Sequence, residues 1–156
     1  MVHNSEIHNK VVVDEIQDED ELKKQMVLWC DAAWDESSCE SGFGFSMKLE
    51  KGTTVMEGYD YGLANSPLMA EVKAIETAMV SAKAQGFRNF KIASNCQRAV
   101  KILKRESKCH WFLKELIKDI NILASQMSFQ GWLYMRRKFN KEVHDLAKSG
   151  IKAKGK

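Results

Sequence analysis

The sequence predicts a single α/β domain in which a five-stranded mixed sheet carries helices on both faces. The order of hydrophobic patterns is the first reason: after residue 24, three strand-like runs are followed by a helical repeat, a short apolar run, further helical repeats, one more strand-like run and a last helix. Size is the second, because 156 residues with 44% hydrophobic content can bury one core without help from disulfides or metal. The third is that no internal repeat and no Pro- or Gly-rich linker divides the chain.

Residues 1–24 mix acids and amides around one apolar patch, Val11-Val12-Val13, and show no periodicity, so they are expected to form a disordered acidic leader. The domain is expected over 25–151 and a basic tail over 152–156. Met26 to Trp34 is a β-rich apolar run with a first strand ending at Asp31, and a polar turn follows from Asp35 to Ser41. Gly42 to Leu49 alternates as a second strand, Lys51-Gly52 turns, and Thr53 to Tyr61 returns as a third, giving an antiparallel meander.

Ser66-Pro67 opens a helix in which Leu68, Val72, Ile75, Met79 and Ala82 recur at helical spacing until Gly86 stops it. Phe90 to Ala93 is a short buried strand and Gln97 to Lys104 a short helix. Trp111 to Ser125 is a longer amphipathic helix through Phe112, Leu116, Ile120 and Leu123, and Ser128 to Met135 is the last strand. Asn140 to Ser149 closes the domain as a helix with Val143, Leu146 and Ala147 turned inward.

No stretch of eighteen apolar residues exists and the first residues lack a signal-peptide pattern, so the expectation is a soluble intracellular protein, cytoplasmic or nuclear, and monomeric. Cys30, Cys39, Cys96 and Cys109 have neither CxxC nor zinc-ligand spacing and are expected to be reduced, partly buried thiols, Cys96 being a small packed residue. The net charge of +3 hides a division: residues 1–24 hold seven acids against three lysines, so the remainder carries +7. Residues 130–156 alone hold eight Lys or Arg against Glu142 and Asp145, a density that attracts phosphate backbones. Lys101, Lys104, Arg105, Lys108, His110 and Trp111 form one basic stretch with an aromatic end, and Arg136, Arg137 and Lys138 form another behind Trp132 and Tyr134. Both stretches can follow a duplex backbone, whereas the alternation of Trp132 with Tyr134 favours packing of those two rings.

The order of elements converges Asp31, Glu71 and Asn95 at one end of the sheet, with Ser94-Asn95-Cys96 closing the fourth strand. Over roughly Met26 to Ile151 the chain resembles the ribonuclease H family and is most similar to the plant ribonuclease H-like domains related to retroelement reverse transcriptases. Four motifs in order carry the resemblance: Asp31-Ala32, Ser66-Pro67-Leu68 with Ala70-Glu71, Gly86-Phe87-Arg88-Asn89, and Asn140 to Lys148.

The resemblance implies a ribonuclease H-like fold and hydrolysis of phosphodiester by two magnesium ions roughly 4 Å apart, held by four carboxylates. Asp31 and Glu71 stand at two of those positions as metal ligands. The third falls on Asn95, a neutral and weaker ligand, and the fourth on His144 with Asp145 one residue on. Two carboxylates leave half the charge of two divalent ions unbalanced, so Mg2+ or Mn2+ is expected to bind weakly and cleavage to be weakened. Two alternatives stay open: a one-residue shift of the last helix, about 100° of rotation, turning Asp145 inward, or His144 acting as a nitrogen ligand that favours manganese or zinc. The loss of a histidine that the family commonly carries at the place of Tyr134 removes another polar group. The expected partner is RNA–DNA hybrid or double-stranded RNA, met through backbone and 2′-hydroxyl groups. If active, the chain would be a divalent-metal-dependent endoribonuclease; otherwise it is a nucleic-acid-binding or protein-interaction module, since fold alone does not separate the two.

Overall fold

The computed structural model describes residues 8–11, 26–49 and 52–153, the side chains of 8–11 and of Phe139 excepted. The strands are β1 (His8–Val11), β2 (Met26–Trp34), β3 (Glu40–Leu49), β4 (Thr54–Leu63), β5 (Phe90–Ser94) and β6 (Gly131–Tyr134). The helices are α1 (Pro67–Ala84), α2 (Gln97–Leu103), α3 (Lys114–Ser125) and α4 (Lys141–Lys152). Among the described residues the strands form one sheet in the order β1-β4-β3-β2-β5-β6. The five expected strands are therefore present: β2, β3 and β4 pair antiparallel, and β5 and β6 join parallel to β2.

Local chemistry accounts for the turns. After β2, the Asp35 carboxylate accepts from the Ser37 backbone N–H at 2.9 Å and Cys39 takes a left-handed φ of 60°. Between β3 and β4, Gly52 holds φ at 94°, which a side chain would disfavour, and its N–H closes on the Leu49 carbonyl at 2.8 Å. Ser66 caps α1 by accepting from Met69 N–H at 3.1 Å, Pro67 fills the first turn, and Gly86 at φ 83° lets the chain leave. Leu28, Phe45, Met47, Ile75, Met79 and Phe90 are fully buried between the sheet and α1 with α3. Each such side chain contributes roughly 1.5–3 kcal/mol.

The opposite face carries α4, and here glycine decides the fit. A Cβ on Gly44 would lie 2.4 Å from the Val143 carbonyl oxygen, and one on Gly42 would lie 1.7 Å from that of Ala147. A Cβ on Gly150 would meet β4 as closely, 2.2 Å from the Asp60 carbonyl oxygen. The helix thus rests directly on backbone, and Lys48 of β3 fixes its first turn through a 2.8 Å ion pair with Glu142.

Several expectations need correction. The leader was expected to lack structure, yet His8–Val11 pairs antiparallel with Met56–Tyr59 of β4. A four-residue edge strand is too short to show periodicity, and β4 offers an edge that pairing satisfies. The acidic run Asp14 to Glu21 and residues 154–156 lie outside the described residues. Asp31 does not end its strand, because β3 keeps pairing as far as Trp34; what ends at Cys30 is the parallel ladder with β5. The helix expected from Trp111 starts as a 3-10 turn, Trp111–Leu113, and it is Leu113 that is buried while Phe112 stays 37% exposed. The last strand contracts to Gly131–Tyr134, and α4 runs on through Lys152 because Gly150 lets a further turn pack.

Candidate functional site

Asp31 pairs with Gly44 across β2 and β3, which puts its side chain on the face that α4 covers. It is 1% exposed. Its Oδ1 accepts from the Ala32 N–H at 2.9 Å, and the same N–H reaches Glu71 Oε1 of α1 at 2.7 Å. One backbone donor therefore clamps the two carboxylates together. Burial, and next the charge of Asp31, push the Glu71 carboxyl well above the usual carboxylate range, while the Arg137 guanidinium works in the opposite direction.

The fourth position is taken by His144, whose Nδ1 donates to Asp31 Oδ2 at 2.8 Å. Asp145 is exposed, so α4 has not rotated by one residue. The register of α4 explains this: Val143, Ala147 and Gly150 must lie against the sheet, and His144 is the neighbour that reaches Asp31. Asn140 adds a pin that the residue types alone did not reveal. It is 1% exposed, and its Nδ2 donates to the Cys30 carbonyl at 3.1 Å, one residue before Asp31. Its side-chain oxygen is buried without a partner.

Asn95 follows Ser94, which pairs with Cys30, so the third position flanks Asp31 as expected. Its Nδ2 is buried and makes no hydrogen bond. Cys96 is half-buried against the core, and burial raises its thiol. The four cysteines are free thiols.

These residues offer a pair of divalent ions only part of the charge and ligands it would need. Two carboxylates are present where four would balance the charge, Asp31 Oδ2 already holds a ring N–H, and the third position offers a neutral amide in place of a carboxylate. Among the described residues no group of three or more His, Cys, Asp or Glu is arranged to hold a metal ion.

The residues expected to meet nucleic acid divide in two. Lys104, Arg105, Lys108 and Trp111 are exposed on the connection between α2 and α3, and Trp111 is 81% exposed with its ring edge-on to Phe112. Arg136, Arg137 and Lys138 are exposed between β6 and α4. The Arg137 charge also acts on the Glu71 carboxyl, a role its place in a basic run did not disclose. Of the two rings expected to pack, Trp132 does, 4.4 Å from Phe129, but Tyr134 is 45% exposed beside Ser94 at the open end of the sheet. A cavity of about 650 Å3 lies elsewhere, between β4, α1 and α3, lined by Phe43, Leu63, Glu76, Leu116 and Asp119. It contains none of the expected site residues. No helix among the described residues is long and apolar enough to cross a membrane.

A family model described as reverse transcriptase-like matches residues 29–150. No curated protein matches the sequence. Among solved structures, ribonuclease H1 of the halophilic archaeon Halobacterium salinarum NRC-1 is similar with a TM-score of 0.76 at 19% identity, over 81% of this chain and 97% of that one. LC11-RNase H1, isolated from compost and solved with an RNA/DNA hybrid, gives 0.74 at 18% identity over 82% of this chain and 97% of its own. The foamy viral protease-reverse transcriptase, also solved with an RNA/DNA hybrid, gives 0.66 at 13% identity over 91% of this chain and 22% of its own. At such identities the likeness is one of fold.

Proposed function

Because the chain belongs to the reverse transcriptase-like family and has the ribonuclease H-like fold, we propose that it binds RNA-containing duplex, RNA–DNA hybrid or double-stranded RNA, and hydrolyses it weakly. The observation that carries the reading is the hydrogen bond from His144 to Asp31 at 2.8 Å, in a domain that also exposes two basic segments. The basic segments supply backbone binding, which is largely electrostatic and indifferent to sequence. The ring on Asp31 must leave before Mg2+ or Mn2+ can use that oxygen, so divalent ions bind weakly and metal-dependent cleavage is slow. LC11-RNase H1 and the foamy viral enzyme, both solved on RNA/DNA hybrid, support the choice of partner. The four sequence motifs support a place among the plant, retroelement-related domains. A monomer acting in the cytoplasm or nucleus accords with this reading.

A second reading is favoured by the lack, among the described residues, of any three-ligand group: a domesticated retroelement domain that binds nucleic acid or protein and catalyses nothing. One experiment separates the two. Labelled hybrid and double-stranded RNA are incubated with the protein in Mg2+ and then in Mn2+, with duplex binding followed in parallel. Binding with slow, metal-dependent cleavage supports the first reading, and binding with none supports the second. Failure to bind either duplex overturns both.

A further inference from the structure

The cavity of about 650 Å3 between β4, α1 and α3 lies apart from Asp31 and its neighbours. We propose that it is a second binding site, for a small organic cation: a primary ammonium on an apolar body, its head held by Glu76, Asp119 and Thr77 and its body laid against Phe43, Leu63 and Leu116. This function goes beyond duplex binding and does not depend on it.

Volume, walls and charge all bear on the ligand. A space of this size matches sites that enclose small molecules, whose walls are mostly apolar with a few polar groups that fix orientation. The apolar wall is built into the strands: a Cβ on Gly62 would lie 2.6 Å from the Phe43 ring, so the absent side chain leaves that ring facing the cavity, and Leu63 beside it is 56% exposed. The polar groups are acceptors. Thr77 lines the cavity at 3% exposure, and its hydroxyl has no hydrogen-bond partner among the described residues, a deficit that a ligand N–H would fill. The charged and titratable groups that share the cavity with Glu76 are Lys73 of α1, Glu115 and Asp119 of α3, and Asp60 and Tyr61 of β4. The Lys73 ammonium is committed to the Leu63 carbonyl at 2.5 Å, so the lining acids face a base that is already engaged. Glu76 and Asp119 share a hydrogen bond, which two carboxyl groups make only while one of them keeps a proton. Burial, and next the charge of Asp119, raise the Glu76 carboxyl to about 7, and a cation between the two would take that proton's place. A primary ammonium has three N–H donors for two carboxylates and one hydroxyl. An anion would meet like charge here, although the chain after residue 24 is basic as a whole.

The test is an NMR titration of the isotope-labelled full chain with tryptamine and with indolepropionate, which presents the same ring with the opposite charge. Tryptamine should shift a saturable set of amide resonances at pH 8, and indolepropionate should bind at least about tenfold more weakly. The ligand's ammonium stays charged between pH 6 and pH 8, so any pH dependence belongs to the protein. Affinity should fall about tenfold from pH 8 to pH 6 as Glu76 takes up its proton. Glu76→Gln should weaken binding about fivefold at pH 8 and abolish that pH dependence, whereas Thr77→Val should weaken it about threefold and leave the dependence in place. Melting curves verify that both variants fold, and either one alone suffices for the comparison. Equal binding of the two compounds, an affinity indifferent to pH, or unaltered affinity in the variants overturns the inference. Absence of any saturable shift with tryptamine also overturns it, and leaves the duplex-binding reading untouched.

Discussion

At the scale of single residues, a ring nitrogen on Asp31 and an amide at position 95 are both reversible by mutation. Asn95→Asp with His144→Asp rebuilds four acids on an unchanged scaffold, and we expect Mg2+-dependent cleavage of hybrid together with a Mg2+-induced rise in melting temperature; Asn95→Asp alone should give less of both. If the double variant folds and binds hybrid but leaves it intact at high Mg2+, the damage extends beyond the ligands. Glu76, lining the cavity between α1 and α3, gives a second test. Burial, and next the charge of Asp119, raise its carboxyl to about 7. An acid with a raised folded pKa binds more protons native than unfolded, so it costs stability increasingly as pH rises from about 4.5 through 7. Glu76→Gln should therefore raise the melting temperature at pH 8 by a few degrees and change it little near pH 5, the half-exposed position screening the effect. Equal shifts at both pH values would refute the assignment. The closeness of Asp31 to Glu71 and the place of Asn95 after β5 were legible from the order of elements and from the motifs that carry the family resemblance. Asn140 and the influence of Arg137 were not, because their partners are a backbone carbonyl and a carboxylate distant in sequence.

At the scale of elements, α4 decides which of two adjacent side chains meets Asp31, and backbone contact at Gly42, Gly44 and Gly150 fixes it. Gly44→Ala should destabilise the domain by about 2–4 kcal/mol, read by urea melting, because the new methyl meets helix backbone that cannot rotate aside. Asn140→Ala should cost about 1–2 kcal/mol and weaken hybrid binding as α4 loosens from β2. A neutral outcome at Gly44 would mean that the helix sits farther from the sheet. The sequence announced α1 clearly, since its cap, first-turn proline, apolar repeat and closing glycine agree. It could not place the burial of α3, where a 3-10 turn rotates Leu113 inward in place of Phe112. The two glycines of β3 read as ordinary alternation, for nothing local indicates that a helix a hundred residues later lies on them.

At the scale of the whole molecule, charge is separated along the chain, with seven acids before residue 25 and a surplus of bases after it. We expect the acidic run to compete with phosphates, so changing Asp14, Asp18, Glu19, Asp20 and Glu21 to amides should tighten hybrid binding chiefly at low salt. Unchanged affinity would leave the run as a solvating segment. Trimming residues 1–24 is the poorer experiment, because it also removes β1 and opens the edge of β4 to self-association. The pairing of β1 with β4 has a consequence for synthesis as well. Strand β1 leaves the ribosome before its partner, residues 56–59, which are themselves seated when β3 and β2 have formed beside them. Strand β1 is thus made well before it can dock, and we expect the acids that follow it in sequence to act during that interval as gatekeepers, keeping the unpaired strand from joining the nascent chains beside it.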